Sequence, residues 1–252
     1  MDSQSQVGTK RSVLIAGASR GIGHALVEAL LQRDDFDCVF AVARSWEGCS
    51  LPSDSRLYLL SADLTDDSER DAMAATVSEH CNQLDLVINT VGFLHEPGGQ
   101  QPEKSLRQLN MTALQRSFSI NAAVPVLLAQ ALMPLLRGHR HCVFASLSAR
   151  VGSIGDNRLG GWYAYRASKA AQNMLMRTFA VEWTRLNRES ICLLLHPGTT
   201  DTDLSAPFQA NVPEGKLFTT QFVAERLLAV IGERSAADTG NFYAWDGEPI
   251  PW

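Results

Sequence analysis

Short apolar runs alternate with stretches of helical periodicity along almost the whole chain. SVLIAGA (12–18) is a continuous apolar run of strand length. HALVEALLQR (24–33) places Leu26/Leu30 and Val27/Leu31 at i, i+4, on one helix face. Strands follow at 38–43 (CVFAVA) and 56–64 (RLYLLSADL), a helix at 66–80, a strand at 84–92 (LDLVINTVG), and a helical region over 103–137. A strand at 141–148 (HCVFASLS), a helix at 164–186, a strand at 190–198 (SICLLLHPG), a helix near 221–233 and a strand at 241–247 complete the pattern. Apolar strands joined through helices predict right-handed crossovers and a parallel sheet covered on both faces. No repeat or linker interrupts this order, so 11–252 reads as one α/β domain behind a flexible polar tail, 1–10.

Composition narrows the possibilities. With 252 residues, 45% of them hydrophobic, the chain is long enough to bury a full core. A formal net charge of −5, without Lys/Arg runs, gives no footprint for nucleic acid. The apolar stretch 124–136 is broken by Gln130 and Pro134 and falls short of a membrane span. The first residues lack the apolar core of a signal peptide. Five cysteines are scattered without metal-ligand spacing, which suits free thiols in a reducing compartment. The expectation is a cytoplasmic protein with no metal, no nucleic-acid partner and no membrane.

Candidate chemistry begins at GASRGIG (17–23), directly between the first strand and the first helix. Gly17, Gly21 and Gly23 permit a tight turn and a close backbone approach, and a helix N-terminus offers free amides to a pyrophosphate. Ser19 and Arg20 are not needed for turning. The second strand ends FAVARSW, with Ala43 and Arg44 where an NAD site normally carries an acidic residue. Arg20 and Arg44 together make a two-pronged clamp for a 2′-phosphate, so NADP(H) is preferred over NAD(H). In GWYAYRASKAA (161–171), Tyr165 has Lys169 one turn further along the same face, whereas Tyr163 meets only Ala167. A phenol beside an ammonium is a proton donor with a lowered pKa.

At this point the chain resembles the short-chain dehydrogenase/reductase family over nearly its whole length. GASRGIG is similar to the family's cofactor turn, ADL (62–64) to its adenine-contacting segment, and NTVG (89–92) to its Asn-Asn-Ala-Gly. YRASK (165–169) resembles its Tyr-x3-Lys pair and HPGTTDT (196–202) its Pro-Gly stretch. Within the family, residues 149–171 look like the C-factor and sniffer-type carbonyl reductase branch. The resemblance implies a Rossmann-type doubly wound parallel sheet and hydride transfer between a nicotinamide and a small carbonyl or alcohol. It implies Tyr165 as general acid, Lys169 as holder of the nicotinamide ribose and Asn121 as the positioner of a relay water. It also implies cofactor contacts from Gly17, Ser19, Arg20, Gly21, Ile22, Gly23, Arg44, Asp63, Leu64, Asn89, Val91, Gly92, Pro197, Gly198, Thr199, Thr200 and Thr202. Homodimers or homotetramers through the two long helices belong to the same expectation.

The pattern departs from the branch at one position. Sixteen residues before the tyrosine, where the branch holds a serine that orients the carbonyl, this chain has Ala149. Ser148 is the expected substitute and Ser146 the reserve. The substrate walls are expected at 93–99, 155–163 and 203–218, with Phe93, Leu94, Trp162, Leu204 and Phe208 making an apolar cavity under a mobile lid. His95 and His196 read as loop and packing residues. Ala149 also keeps a second reading open: a dinucleotide-binding signalling protein of C-factor type with little or no turnover.

Overall fold

The structure is a computed structural model that describes residues 11–252; the tail expected over 1–10 lies outside the described residues. The apolar runs form β1 (Ser12–Ala16), β2 (Cys38–Ala43), β3 (Leu57–Ser61), β4 (Leu86–Asn89), β5 (Cys142–Leu147) and β6 (Ser190–His196). After them come two short strands, β7 (Thr199–Thr200) and β8 (Leu217–Phe218), and then β9 (Asn241–Ala244). Seven of the nine make one sheet in the order β3-β2-β1-β4-β5-β6-β9, with every neighbouring pair parallel. The order reverses between β1 and β4, and ligands of such sheets gather at that crevice, beyond the carboxyl ends of the strands.

The helices are α1 (Gly21–Leu31), α2 (Asp67–His80), α3 (Met111–Ser117), α4 (Val124–Leu136), α5 (Tyr163–Leu186) and α6 (Thr220–Gly232). One sheet face is sealed by Met73, Leu128, Leu132, Met176 and Trp183 from α2, α4 and α5. The other is sealed by Leu26, Leu30, Val223 and Leu227 from α1 and α6. Each such side chain taken fully out of water contributes about 1.5–3 kcal/mol, which is why strands apolar on both faces settle in the middle layer.

The long helical region differs from its expectation. Residues 103–110 hold only a 3-10 turn at Leu106–Gln108, whose Leu106 is two-thirds exposed and gives no apolar stripe to bury. The helix starts at Met111, where the Asn110 side chain caps it by accepting from the Ala113 N–H at 2.9 Å. It then runs unbroken through a π turn (Phe118–Ala123) into α4. The whole Met111–Leu136 stretch is long and apolar enough to cross a membrane, which the 124–136 run alone was not, but half of it is buried inside the protein. Strands β6 and β9 end earlier than their apolar runs, because Gly198 and Gly247 turn the chain with φ of +76° and +87°. The short ladder joins β7, in the stretch 196–202 expected to contact the cofactor, to β8, at the end of the expected lid 203–218.

Candidate active site

The glycine-rich turn is built around contacts that leave no room for side chains. A Cβ on Gly23 would lie 2.2 Å from the Gly17 carbonyl oxygen, and one on Gly17 would lie 2.6 Å from Thr90 Oγ1. Gly17 and Gly21 also have φ of +84° and +58°. Thr90 ties the turn to β4 by donating to the Ala16 and Gly17 carbonyls at 2.8 and 3.1 Å. Arg20, the N-cap of α1, makes no side-chain capping bond, so no side chain competes for the first-turn amides. Thr202 packs its methyl against Gly21, bringing the segment after β6 to the turn. A pyrophosphate fits this cradle: the backbone is bare, the amides are free and a helix N-terminus faces it.

Of the other residues expected to contact the cofactor, Val91 and Thr202 meet this turn directly, and the rest lie in it or at the carboxyl ends of β2, β3, β4 and β6. Arg20 and Arg44 are both exposed; Arg20 faces Asp203 at 3.5 Å. Ser19 and Ile22 are half-buried within the turn. Asp63 follows β3 and accepts from the Thr65 N–H and Oγ1–H, bonds that hold its carboxyl below the usual carboxylate range. Leu64 is buried beside it. Asn89, Val91 and Gly92 follow one another at the end of β4, and Pro197, Gly198, Thr199, Thr200 and Thr202 run out from β6.

Tyr165 and Lys169 lie on the inner face of α5, 8% and 3% exposed. Tyr163 is 37% exposed and faces a separate hollow of about 620 Å³, lined by Val151, Ile154, Arg166, Ala167 and Ala170. The Lys169 Nζ lies 5.9 Å from the Tyr165 ring centroid and donates to the Leu147 carbonyl at 3.0 Å and to Gln172 Oε1 at 2.9 Å. Burial pushes the Tyr165 phenol up and the Lys169 ammonium down to about 7, both toward their neutral forms. The lowering of Tyr165 expected from the ammonium does not appear here: burial moves the phenol in the opposite direction.

Asn121 is fixed from three sides. Its Oδ1 accepts from the Phe93 N–H at 2.6 Å, and its Nδ2 donates to the Phe93 carbonyl and to Ser168 Oγ. It sits in the π turn between α3 and α4, an irregularity of the kind that often marks functional positions. Asn121 Oδ1 and Lys169 Nζ flank Gly92, each 3.8 Å from where its Cβ would stand.

The two candidate serines are both engaged. Ser148 donates to Asn173 Oδ1 at 2.6 Å, and Ser146 accepts from Asn89 Nδ2 and Gln172 Nε2 at 3.0 and 2.9 Å. Asn173 Nδ2, Asn89 Oδ1 and His196 Nδ1 are buried without a protein partner. Burial holds His196 down to about 4, with Arg150 contributing in the same direction.

Aromatic side chains roof Tyr165. Trp162 stands 6.2 Å from its ring centroid and 5.0 Å from Phe208, which in turn meets His95 at 5.5 Å. Trp162 is the one non-glycine residue with positive φ among the described residues. Glu103 holds it there: its carbonyl accepts from the Trp162 N–H at 2.6 Å and its carboxylate from the Ala164 N–H at 3.2 Å. Leu94 is buried, Leu204 is exposed, and Phe93 carries the Arg116 guanidinium 4.5 Å over its ring.

Residues 11–213 match the family model for short chain dehydrogenases. The chain belongs to the short-chain dehydrogenase family. This dehydrogenase is 31% identical over 244 residues to the 1-hydroxy-2-glutathionyl-2-methyl-3-butene dehydrogenase of Rhodococcus sp. (strain AD45), covering 96% of this chain and 99% of that one. It is 34% identical over 149 residues to C-signal of Myxococcus xanthus, covering 59% of this chain and 84% of that one. Among solved structures, the NADPH-bound carbonyl reductase from chicken fatty liver superposes with a TM-score of 0.82 at 28% identity, covering 96% of this chain and 99% of that one.

Several residues of the dehydrogenase's site had no counterpart in the sequence reading. Gln172 and Asn173 lie three and four positions after Lys169, a spacing that puts them on its helix face. Glu103, 61 residues from Ala164, gave no local signal at all.

Proposed function

We propose that this protein is an NADP(H)-dependent carbonyl reductase, or alcohol dehydrogenase in reverse, acting on a small hydrophobic carbonyl or alcohol in the cytoplasm. The observation that carries the reading is the pair Tyr165 and Lys169, buried together beside Gly92 and Asn121, at the end of the sheet where the bare glycine turn lies. Gly17, Ser19, Gly21, Ile22 and Gly23 would hold the pyrophosphate, Arg20 and Arg44 the 2′-phosphate, and Asp63 and Leu64 the adenine. Asn89, Val91, Gly92 and the segment Pro197–Thr202 would line the nicotinamide end. Bound there, the dinucleotide supplies or accepts the hydride. The NADPH held by the chicken fatty liver carbonyl reductase supports the cofactor choice.

The chain's own residues handle the proton. A phenol kept neutral by burial is in the state a donor needs, and Tyr165 gives its proton to the carbonyl oxygen. The phenolate left behind is stabilised by the Lys169 ammonium. Asn121, immobilised by Phe93 and Ser168, orients the water that returns a proton. Ser148 is the hydroxyl proposed to polarise the carbonyl, which requires it to exchange its bond to Asn173 for one to the substrate. The Trp162–Phe208–His95 cluster closes an apolar roof over the reacting atoms. Exposed apolar side chains on α5, Met174, Leu175 and Val181, support self-association into dimers or tetramers.

A second reading rests on the absence of a serine at Ala149 and on the engagement of Ser148: a dinucleotide-binding signalling protein, in line with the similarity to C-signal. The test is NADPH oxidation by the purified protein with aromatic and aliphatic aldehydes and ketones, with NADH alongside. Turnover with NADPH and weak turnover with NADH supports the reductase. Tight NADPH binding without turnover across the panel moves the weight to the second reading.

A further inference from the structure

We infer that Gln172 is a positioning residue that fixes the Lys169 ammonium behind Tyr165 through a buried amide relay reaching Ser146 and Asn89. This inference rests on the reductase reading for its consequence, but its geometry stands alone. Gln172, Ser146 and Asn89 are all fully buried, and Lys169 nearly so. A glutamine placed there among apolar strands carries a desolvation cost that only full pairing offsets. Its Oε1 accepts from Lys169 Nζ at 2.9 Å, and its Nε2 donates to Ser146 Oγ at 2.9 Å and to the Leu147 carbonyl at 3.1 Å. Ser146 is held in turn by Asn89 Nδ2 at 3.0 Å, across the β4–β5 pair. The relay orients the amide, so that an oxygen and not a nitrogen faces the ammonium.

The ammonium has three donors, and two are taken by Gln172 and the Leu147 carbonyl. The third remains for the Tyr165 side of the site. Around Lys169, Gly152 packs on its Cβ and Gly92 near its Nζ, and Asn121 lies beyond Gly92. Tyr165 is the titratable group facing it on α5; Arg150, on the turn 150–152, is directed at Asp156 instead. No acidic side chain hydrogen-bonds Lys169 among the described residues. Its charge therefore depends on neutral carbonyl acceptors, and burial opposes it, bringing it down to about 7. Removing one acceptor lowers the pH at which the ammonium is lost; replacing it by a carboxylate raises that pH.

The experiment is an NMR titration of the lysine side chains in the full chain, which has four lysines, Lys10, Lys104, Lys169 and Lys216. The Lys169 signal is assigned by its loss in Lys169→Met. In Gln172→Met the Lys169 midpoint should fall by about one pH unit, and in Gln172→Glu it should rise by at least as much, the scale of one hydrogen bond to a charged group. Ser146→Ala, which removes one of the two bonds made by the Gln172 Nε2, should lower it by less. The alkaline limb of the pH–rate profile for carbonyl reduction should move in the same directions. A carboxylate at 172 raises the Lys169 midpoint through its charge alone, whereas a glutamine that only fills space would leave that midpoint unmoved in folded Ser146→Ala protein; an unmoved midpoint in Ser146→Ala, or shifts of one sign in both Gln172 variants, would overturn the inference. If Gln172→Met does not fold, the other two variants decide. Opposite shifts in a protein without turnover would retain the relay and remove the reductase reading; turnover without shifts would do the reverse.

Discussion

Gly23→Ala gives the sharpest test of the cradle, because the obstacle is backbone. The new methyl would stand 2.2 Å from the Gly17 carbonyl oxygen, roughly 1.2 Å inside ordinary contact, with Thr90 Oγ1 at 2.7 Å on its other side. No rotamer relieves this, so the turn has to open. Overpacking of this kind costs about 1–3 kcal/mol, which at this chain length lowers Tm by several degrees. Opening the turn also moves the first-turn amides of α1 away from the phosphates. Losing one charge-assisted hydrogen bond, about 1.5–3 kcal/mol, weakens NADPH binding by roughly 10- to 150-fold. Titration of tryptophan fluorescence with NADPH measures the affinity, and a thermal melt measures the stability. Gly232→Ala, at the end of α6 with nothing within 4 Å of its Cβ, is the control and should leave NADPH affinity unchanged and Tm the same or slightly higher. Gly23→Ala protein that binds NADPH within about twofold of the parent would refute the cradle as the phosphate site, on the same scale.

Two further outcomes follow from charge. Arg44→Ala should raise the KM for NADPH by about 10- to 100-fold while leaving that for NADH within about twofold, because only the former carries a 2′-phosphate for a guanidinium to pair with; equal effects on both would remove Arg44 from the clamp. His196 is held down to about 4 by burial, from an ordinary 6.5, so between those values the unfolded chain binds the extra proton and the folded one does not. Stability from this group is therefore complete above 6.5 and falls as the pH drops toward 4, by up to about 3 kcal/mol. Urea unfolding at pH 7.5 and pH 4.5 should show a drop that shrinks in His196→Gln, and an equal drop in both proteins would contradict it.

What the sequence disclosed depended on whether the signal was local. Helix α5 was read to within a residue because its small and apolar positions repeat at helical period, and Tyr165 was separated from Tyr163 by spacing alone. The buried position of the first tyrosine and the exposure of the second agree with that spacing. The start of the long helix was misread because 103–110 has helix-compatible residues but no face to bury, and the decisive signal was the Asn110 cap. Strands β7 and β8 are two residues each, too short for a period to register. Glu103 and Trp162 could not be paired from sequence, since their bond joins distant segments. Gln172 lay in plain view at i+3 from Lys169, but spacing alone does not tell an inward relay from a packed polar side chain; the partners on β5 do.

The most direct measurement of the central claim is isotope transfer. Wild-type protein and Tyr165→Phe are each given NADPH carrying deuterium at both nicotinamide C4 positions with a hydrophobic aldehyde, and the alcohol is analysed by mass spectrometry. The expected result is an alcohol carrying one deuterium from the wild-type protein and almost none formed by the variant, which should still bind NADPH. Alcohol without deuterium, or undiminished deuterated alcohol from Tyr165→Phe, would contradict hydride transfer with Tyr165 as the proton donor.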